Sequence, residues 1–383
     1  MEIRSKLPDV GVTIFATISR RAQELGALNL GQGFPDFEID PRLTELVTEA
    51  MRAGHNQYAP YEGAMALREQ IAAKILQCYG ASVDPEAEVT VTLGATEAIY
   101  SAVQAVVAAG DEAIVFDPCY DSYDPAVRLA GGRCIHVPLS PPRFGYDWDR
   151  VRASVTPRTR LIIFNSPNNP TCTTATARDL DELAAIMRGR DIVLISDEVY
   201  EHIVYDGQQH QSVLAHPELR QRSFAAYSFG KTLHSTGLRL GYCIAPPALT
   251  REMRKVHQFN TFSIATAPQH AVAAYLREKP DAWRGVSTFF QRKRDRFCAA
   301  LAGSPFSLPP AQGAYFQLLD FSRVAPPGDM AFVDRLLDEA KLATIPLTPF
   351  YREPPPLSLV RLCIAKRDET LDAAAARLLT FRP

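Results

Sequence analysis

The sequence predicts an α/β fold. A mostly parallel central sheet carries helices on both faces, and a smaller α+β domain follows it. Three observations predict it. Short apolar runs alternate with helical segments from residue 89 to residue 230. Those runs are continuously apolar, as strands are when helices cover both faces of a sheet. Nearly every polar cluster in this region follows directly on such a run, at the sheet end where open α/β sheets line a ligand crevice.

Taken in order, residues 1–45 read as an N-terminal arm with part of the small domain, 46–279 as the large domain and 280–383 as the C-terminal small domain. Residues 14–25 have helical spacing. Leu30-Gly31-Gln32-Gly33-Phe34-Pro35-Asp36-Phe37 follows. Two glycines and a proline around an aromatic make a loop of special backbone geometry, either a turn or a backbone lying against a ligand. Residues 42–53 read as a helix. Asn56-Gln57-Tyr58-Ala59-Pro60-Tyr61-Glu62-Gly63 reads as a polar, aromatic loop. Leu67, Ile71, Ile75 and Leu76 set a helical period through residue 79.

Residues 89–93 then read as a strand, with Gly94-Ala95-Thr96 opening a helix. Strands are expected at 113–116, 134–137, 161–164, 192–195 and 224–227, with a helix at 178–187. After residue 245 the texture changes. Helices are expected at 249–262, 266–276, 283–301 and 331–340, strands at 314–320 and 360–364, and a proline-rich loop at 346–356.

Bulk properties exclude several classes. A formal net charge of -2 offers no basic stripe for nucleic acid. No apolar run is long enough to span a membrane. Residues 1–8 hold Glu2, Arg4 and Lys6 and no apolar stretch, so no secretion signal is expected. The seven cysteines are scattered and never spaced as CxxC. That fits free thiols in a reducing cytoplasm rather than disulfides or a zinc site. The histidines show no metal-binding spacing, and no metal is expected.

The post-strand clusters carry the chemistry. Lys231 lies in Ser228-Phe229-Gly230-Lys231-Thr232, just past an apolar run. Most lysines are solvated surface charges. One in this setting is a candidate covalent nucleophile toward a carbonyl cofactor. Gly94-Ala95-Thr96 at a helix start offers free backbone N–H groups and a hydroxyl, either a cap or a phosphate cradle. Ser228 and the forked cation of Arg239 suit the same phosphate. Asp197 ends a buried run and needs a partner. That partner is a core arginine or the N–H of a pyridinium ring. Tyr200 and Asn169 are placed to hydrogen-bond a ring phenolate, and Tyr120 to stack on the ring. Together these parts describe a pyridoxal phosphate site.

The same blocks carry a family resemblance. LGQGFPDF, NQYAPYEG, VTLGATEA, FDPCYDSY, NSPNNPT, SDEVYEH, SFGKTLHSTGLRLGY and RLCIAK occur in order along nearly the whole chain. In them the sequence resembles the pyridoxal phosphate-dependent, fold-type I, class I/II aminotransferases. It is most similar to their methionine and kynurenine aminotransferase branch. The resemblance implies an aspartate aminotransferase-like fold and a ping-pong transamination between an L-amino acid and a 2-oxo acid.

It also implies roles. Lys231 would hold the cofactor covalently and shuttle the proton, with Asp197 on the ring nitrogen. Tyr200 and Asn169 would meet the ring oxygen, and Tyr120 the ring face. Ala95, Thr96, Ser228 and Arg239 would hold the phosphate. Tyr58 would reach the cofactor of a neighbouring subunit, in a cytoplasmic homodimer with shared sites. Arg361 would bind the substrate carboxylate, aided by Asn165 or Asn169 and the backbone of Gly33. A planar fork suits a carboxylate on physical grounds as well. Without the other blocks, Arg361 would read as a surface residue on a late strand. Phe15, Phe34, Tyr61 and Phe350 would form an apolar pocket for methionine, aromatic or other large neutral donors.

Two positions depart from the family pattern. Pro170-Thr171-Cys172 stands where many relatives have Pro-x-Gly, which would alter the turn, and Arg239 stands where some carry Lys. Two other readings use the same fold. One is a pyridoxal phosphate-dependent β C–S lyase. The other is a non-catalytic binding or regulatory protein, for which an added DNA-binding module ahead of the arm would be needed and is not expected. A nicotinamide dehydrogenase would need GxGxxG after the first strand, which is lacking.

Overall fold

A computed structural model describes residues 4–382. Residues 1–3, part of the arm and of the stretch read for a secretion signal, and residue 383 of the small domain lie outside it.

Seven strands build the central sheet: β1 (Val89–Leu93), β2 (Glu112–Asp117), β3 (Arg133–Pro138), β4 (Thr159–Asn165), β5 (Val193–Asp197), β6 (Ser223–Ser228) and β7 (Leu240–Ile244). Their order is β1-β7-β6-β5-β4-β2-β3. β7 runs antiparallel to both β1 and β6, and the other pairs are parallel. β7 is not among the strands expected from the sequence, because its residues continue the Gly-rich tail of the lysine segment. Short helices at Tyr123–Leu129 and Trp148–Ser154 are likewise additions.

The continuously apolar strands are explained by two separate cores. Ile114, Phe116, Ile162, Phe164 and Leu194 join one apolar cluster, and Ala113, Val115, Leu161, Ile163 and Ile195 the other. Alternate residues of each strand thus face opposite layers, and both layers are dry. On the first face lie Leu67, Ile71 and Ile75 of the helix Met65–Tyr79, and Leu180, Leu183 and Met187 of Ala177–Met187. On the second lie Ala98, Ile99, Ala102 and Val103 of Gly94–Val106. Each fully buried Ile or Leu contributes about 1.5–3 kcal/mol. Local signals set the helix ends. Gly80 is left-handed after Tyr79, and Thr176 and Asp179 form a capping box ahead of Leu180.

The C-terminal part holds a three-stranded antiparallel sheet. Its strands are β8 (Phe316–Asp320), β9 (Ile345–Pro346) and β10 (Leu359–Cys363), in the order β9-β10-β8. The segment 14–30 packs on this part. Leu28–Asn29 pairs in parallel with Leu342–Ala343, and Arg21 pairs with Asp334 and Asp338. The chain therefore leaves this separate two-stranded pairing at Leu30 and carries Gly31 to Gly33 toward the strand ends of the large sheet.

Other ties fix the two parts against each other. The backbone N–H of Cys119 donates to Phe350 O at 2.9 Å, and that of Arg352 to Asp117 Oδ2 at 2.7 Å. His136 stands between Asp117 (2.8 Å) and Asp124 (3.5 Å). Burial works against its charge, but the two carboxylates outweigh burial and raise it to about 9. No helix among the described residues is long and apolar enough to cross a membrane. All seven cysteines are free thiols.

Candidate active site

The strands end in chemistry. Asn165 is the last residue of β4, Asp197 of β5 and Ser228 of β6, while Lys231 lies in the single helical turn Phe229–Thr232 that follows. These ends surround a cavity of about 260 Å³. Its lining includes Phe15, Gly33, Ala95, Thr96, Tyr120, Asn165, Asn169, Asp197, Tyr200, Ser228, Lys231, Arg239 and Arg361. Loops scattered across more than three hundred residues of sequence meet there.

Asp197 is buried. Its Oδ2 accepts from the hydroxyl of Tyr123 at 2.6 Å, and its Oδ1 from the Val199 N–H at 3.3 Å. Burial raises the carboxyl to about 6 against the pull of these bonds. No arginine partners it among the described residues, so the core-arginine alternative is excluded. Lys231 Nζ donates to the Tyr315 hydroxyl at 2.7 Å and to Gly33 O at 3.3 Å. Burial lowers the amine to about 8.

Arg361 is fully buried in the middle of β10, not on the surface. Nη1 donates to Asn169 Oδ1 and Nη2 to Gly31 O at 2.8 Å. Nε has no partner, and no carboxylate pairs with the guanidinium among the described residues. Its central carbon lies 3.9 Å from the ring centre of Phe316 and 5.1 Å from that of Phe15. Asn165 is held by the backbone: its amide donates to Asp197 O at 2.9 Å and accepts from the Asn169 N–H at 2.8 Å.

At the other end, the helix Gly94–Val106 starts without a side-chain cap. Arg239, in left-handed backbone, lies against that start. A methyl group at Gly94 would come within 2.8 Å of its guanidinium, and one at Gly241 within 2.7 Å of the Ala95 N. Only hydrogen at both positions allows this close approach. Thr96 and Arg239 are exposed, so this end of the cavity opens on the surface.

Some expectations need correcting. Phe34 and Tyr61 do not line this cavity. Gly33 turns its carbonyl inward, which leaves Phe34 45% exposed on the outer side of the loop, its ring 4.7 Å from Lys366 Nζ. Tyr61 stays in the Tyr58 loop, its carbonyl accepting from His257. Phe350 backs the wall from behind Phe15, ring centres 5.5 Å apart. Tyr58, expected at a neighbouring subunit's cofactor, is 80% exposed with its ring against the edge of Phe262 at 5.2 Å, and it does not line this chain's own cavity. Cys172 itself takes the left-handed backbone, with φ 63°.

Sequence reasoning missed Tyr123, Tyr315, Gln32, Ile99, Val199 and Phe316. Tyr123 carried a signal, since it ends the same FDPCYDSY block as Tyr120. Tyr315 carried none, because only the packing of the small sheet brings it to Lys231.

These groups fit pyridoxal phosphate. Among the described residues neither the dry carboxylate of Asp197 nor the amine of Lys231 is in an ion pair, and the uncapped helix start with Arg239 is an anion cradle. Comparison with known proteins agrees. The sequence profile of the family "Aminotransferase class I and II" matches residues 26–378. The chain is 47% identical to the methionine aminotransferase of Escherichia coli (strain K12), over 98% of this chain and 97% of that one. It is 32% identical to human kynurenine–oxoglutarate transaminase 1, over 94% of each. An Escherichia coli crystal structure identified with a methionine aminotransferase function superposes with a TM-score of 0.97, at 46% identity over 100% of both chains. The N-succinyldiaminopimelate aminotransferase structure from Mycobacterium tuberculosis gives 0.94, at 37% identity over 98% of this chain and 99% of that one. The chain belongs to the class I and II aminotransferases, and is a pyridoxal phosphate-dependent enzyme of that family.

Proposed function

We propose that the donor is methionine, an aromatic or another large neutral L-amino acid, and that a 2-oxo acid accepts the amino group. The observation that carries this is Arg361. A buried guanidinium with no carboxylate of its own is set to hold one from the substrate in two parallel hydrogen bonds. The rings of Phe15 and Phe316 flank it, Asn169 accepts from it, and Ile99 and Val199 add apolar surface elsewhere in the lining. Arg361 and Arg239 are the two arginines of the lining, and Arg239 is taken by the phosphate end. A donor's side-chain carboxylate would therefore find no forked cation. The Escherichia coli relative's name, methionine aminotransferase, supports the same choice.

In this reading Ala95, Thr96, Ser228 and Arg239 hold the cofactor phosphate, Tyr120 lies on the ring, and Tyr200 and Asn169 bond its oxygen. Asp197 keeps a proton on the ring nitrogen. When bound, pyridoxal phosphate supplies an electron sink for the bond broken at the substrate Cα. Lys231 would hold the cofactor covalently between turnovers. Released, its amine would take the Cα proton and deliver it to the cofactor carbon C4′, on the far side of the substrate nitrogen. Burial helps by keeping much of that amine neutral near pH 8. The exposed phosphate end would be closed by Tyr58 of the partner subunit in a homodimer, placed in the cytoplasm.

A panel of amino donors against 2-oxo acids, followed at the cofactor's absorbance, tests the substrate class. Methionine and phenylalanine should exceed aspartate in kcat/KM by at least about tenfold. Preference for aspartate would sink the reading. So would pyruvate and ammonia released from cystathionine without an acceptor at a rate matching transamination.

A further inference from the structure

The amine of Lys231 is held by the Gly33 carbonyl and by the Tyr315 hydroxyl, to which the proposed chemistry gives no role. Its Nζ donates to the hydroxyl of Tyr315 at 2.7 Å and to the carbonyl of Gly33 at 3.3 Å. The Tyr315 hydroxyl spends its own proton on the same Gly33 carbonyl. It therefore meets the lysine as an acceptor. The phenol is fixed from every side. Tyr315 is fully buried, with the rings of Tyr200 and Phe316 at 5.0 Å and Phe290 at 5.6 Å. The Ile364 N–H holds its carbonyl at 2.9 Å. No carboxylate forms an ion pair with Lys231 among the described residues, so these two oxygens are what hold the free amine.

An amine that alternates between a covalent bond and proton transfer needs a defined position when free, close to the reacting carbon and not lost among rotamers. We propose that Tyr315 is a positioning residue for Lys231. Its phenol and the Gly33 carbonyl form a two-acceptor dock that receives the free amine and favours its protonated form. The proposal rests on the reading of Lys231 as the cofactor's lysine. One half of the dock comes from the N-terminal loop and the other from the edge of the small sheet, so both ends of the chain must be packed for it to exist.

The test uses the full-length, cofactor-free protein. Trinitrobenzenesulfonate labelling of the peptide containing Lys231, followed by mass spectrometry from pH 6 to 10, reads the amine's midpoint. It should lie near 8 in the parent. In Tyr315→Phe, which loses the acceptor, it should fall by roughly half to one pH unit. Tyr205→Phe is the control. It also removes a buried tyrosine hydroxyl, one that donates to Ala314 O, and should leave the midpoint unchanged. In the loaded enzyme, Tyr315→Phe should lower kcat roughly 5- to 20-fold and change the donor KM less than about threefold, since Arg361 is untouched. If Tyr315→Phe does not fold, Tyr315→Met should give the same downward shift. An unchanged midpoint in the hydroxyl-free variant, or an equal shift in Tyr205→Phe, overturns the dock. Borohydride reduction of the loaded parent keeps the underlying reading separate. Cofactor fixed to a residue other than Lys231 would reject that reading, whereas attachment to Lys231 with an unmoved midpoint rejects the dock alone.

Discussion

Asp197 shows how a single residue carries a cost for its function. An ordinary aspartate titrates near 3.8, and this one near 6, because burial removes the water that would solvate its charge. The cofactor-free fold thus binds the proton more tightly than the unfolded chain does. Below about pH 4 both forms are protonated and burial costs nothing. Between about pH 4 and 6 the cost develops, and above pH 6 it reaches about 3 kcal/mol. Cofactor-free Asp197→Asn should therefore be more stable than the parent at pH 7.5 by about 1–3 kcal/mol in urea denaturation, with the difference closing at pH 4. The loaded variant should lose at least about a hundredfold in kcat. A stability difference that does not vary with pH would contradict burial of the charge as its origin. Lys231 has the mirror-image cost: its amine is depressed to about 8, so its penalty is full below pH 8 and fades as the pH rises above it.

At the scale of an element, the loop after β4 is the instructive one. The Asn168 side chain accepts from the N–H and hydroxyl of Thr171, and Cys172 donates back to Asn168 O at 3.0 Å. The Cys172 carbonyl in turn accepts from Gln312 at 2.9 Å, which ties the loop to the approach to β8. The residue at 172 must be left-handed to make both turns, and it is a buried cysteine rather than a glycine. Cys172→Gly relieves about 1 kcal/mol of backbone strain and gives up a similar amount of buried sulfur contact. Its stability should stay within about 1 kcal/mol of the parent. Cys172→Val, β-branched in a left-handed position, should lose at least about 2 kcal/mol. Thermal and urea unfolding of the pair distinguish the two cases. A valine variant as stable as the glycine one would mean that the loop can be rebuilt without the left-handed residue.

For the whole molecule, the open phosphate end is the feature to explain. Tyr58 at 80% and Phe262 at 51% exposure meet edge to face in water, and Phe259 at 88% and Leu93 at 43% are exposed as well. Exposed apolar surface of this kind marks an interface. We propose that a second copy covers it and lends Tyr58 to the neighbouring phosphate. Sedimentation should give twice the chain mass. The double variant Phe259→Glu, Phe262→Glu should sediment as a monomer and bind cofactor at least about tenfold more weakly. A parent that sediments as a fully active monomer would remove the shared site.

Much of the fold was legible in the sequence because burial on both faces writes a plain pattern: six of the seven strands of the large sheet are short apolar runs. β7 was not legible, since Leu240-Gly241-Tyr242-Cys243-Ile244 merges with the glycines before it, and its antiparallel entry between β1 and β6 is a fact of topology. The site followed the same division. Residues at strand ends, among them Asn165, Asp197 and Lys231, could be read because the strand itself announces where they point. Their partners could not. Tyr315 reaches Lys231, and Gly33 accepts from both, only because residues 28–29 pair with 342–343 and draw the first loop over the sheet's edge. The apolar pocket was misassigned at Phe34 and Tyr61 for the same reason. A sequence states that an aromatic sits in a loop, but the direction of its side chain is set by which neighbours the packed chain leaves open. Taken alone, the sequence determined the cofactor chemistry, since residue type and strand position suffice for it. The free amine's partners, the wall of the pocket and the open phosphate end were decided by tertiary structure, because each depends on contacts between segments hundreds of residues apart.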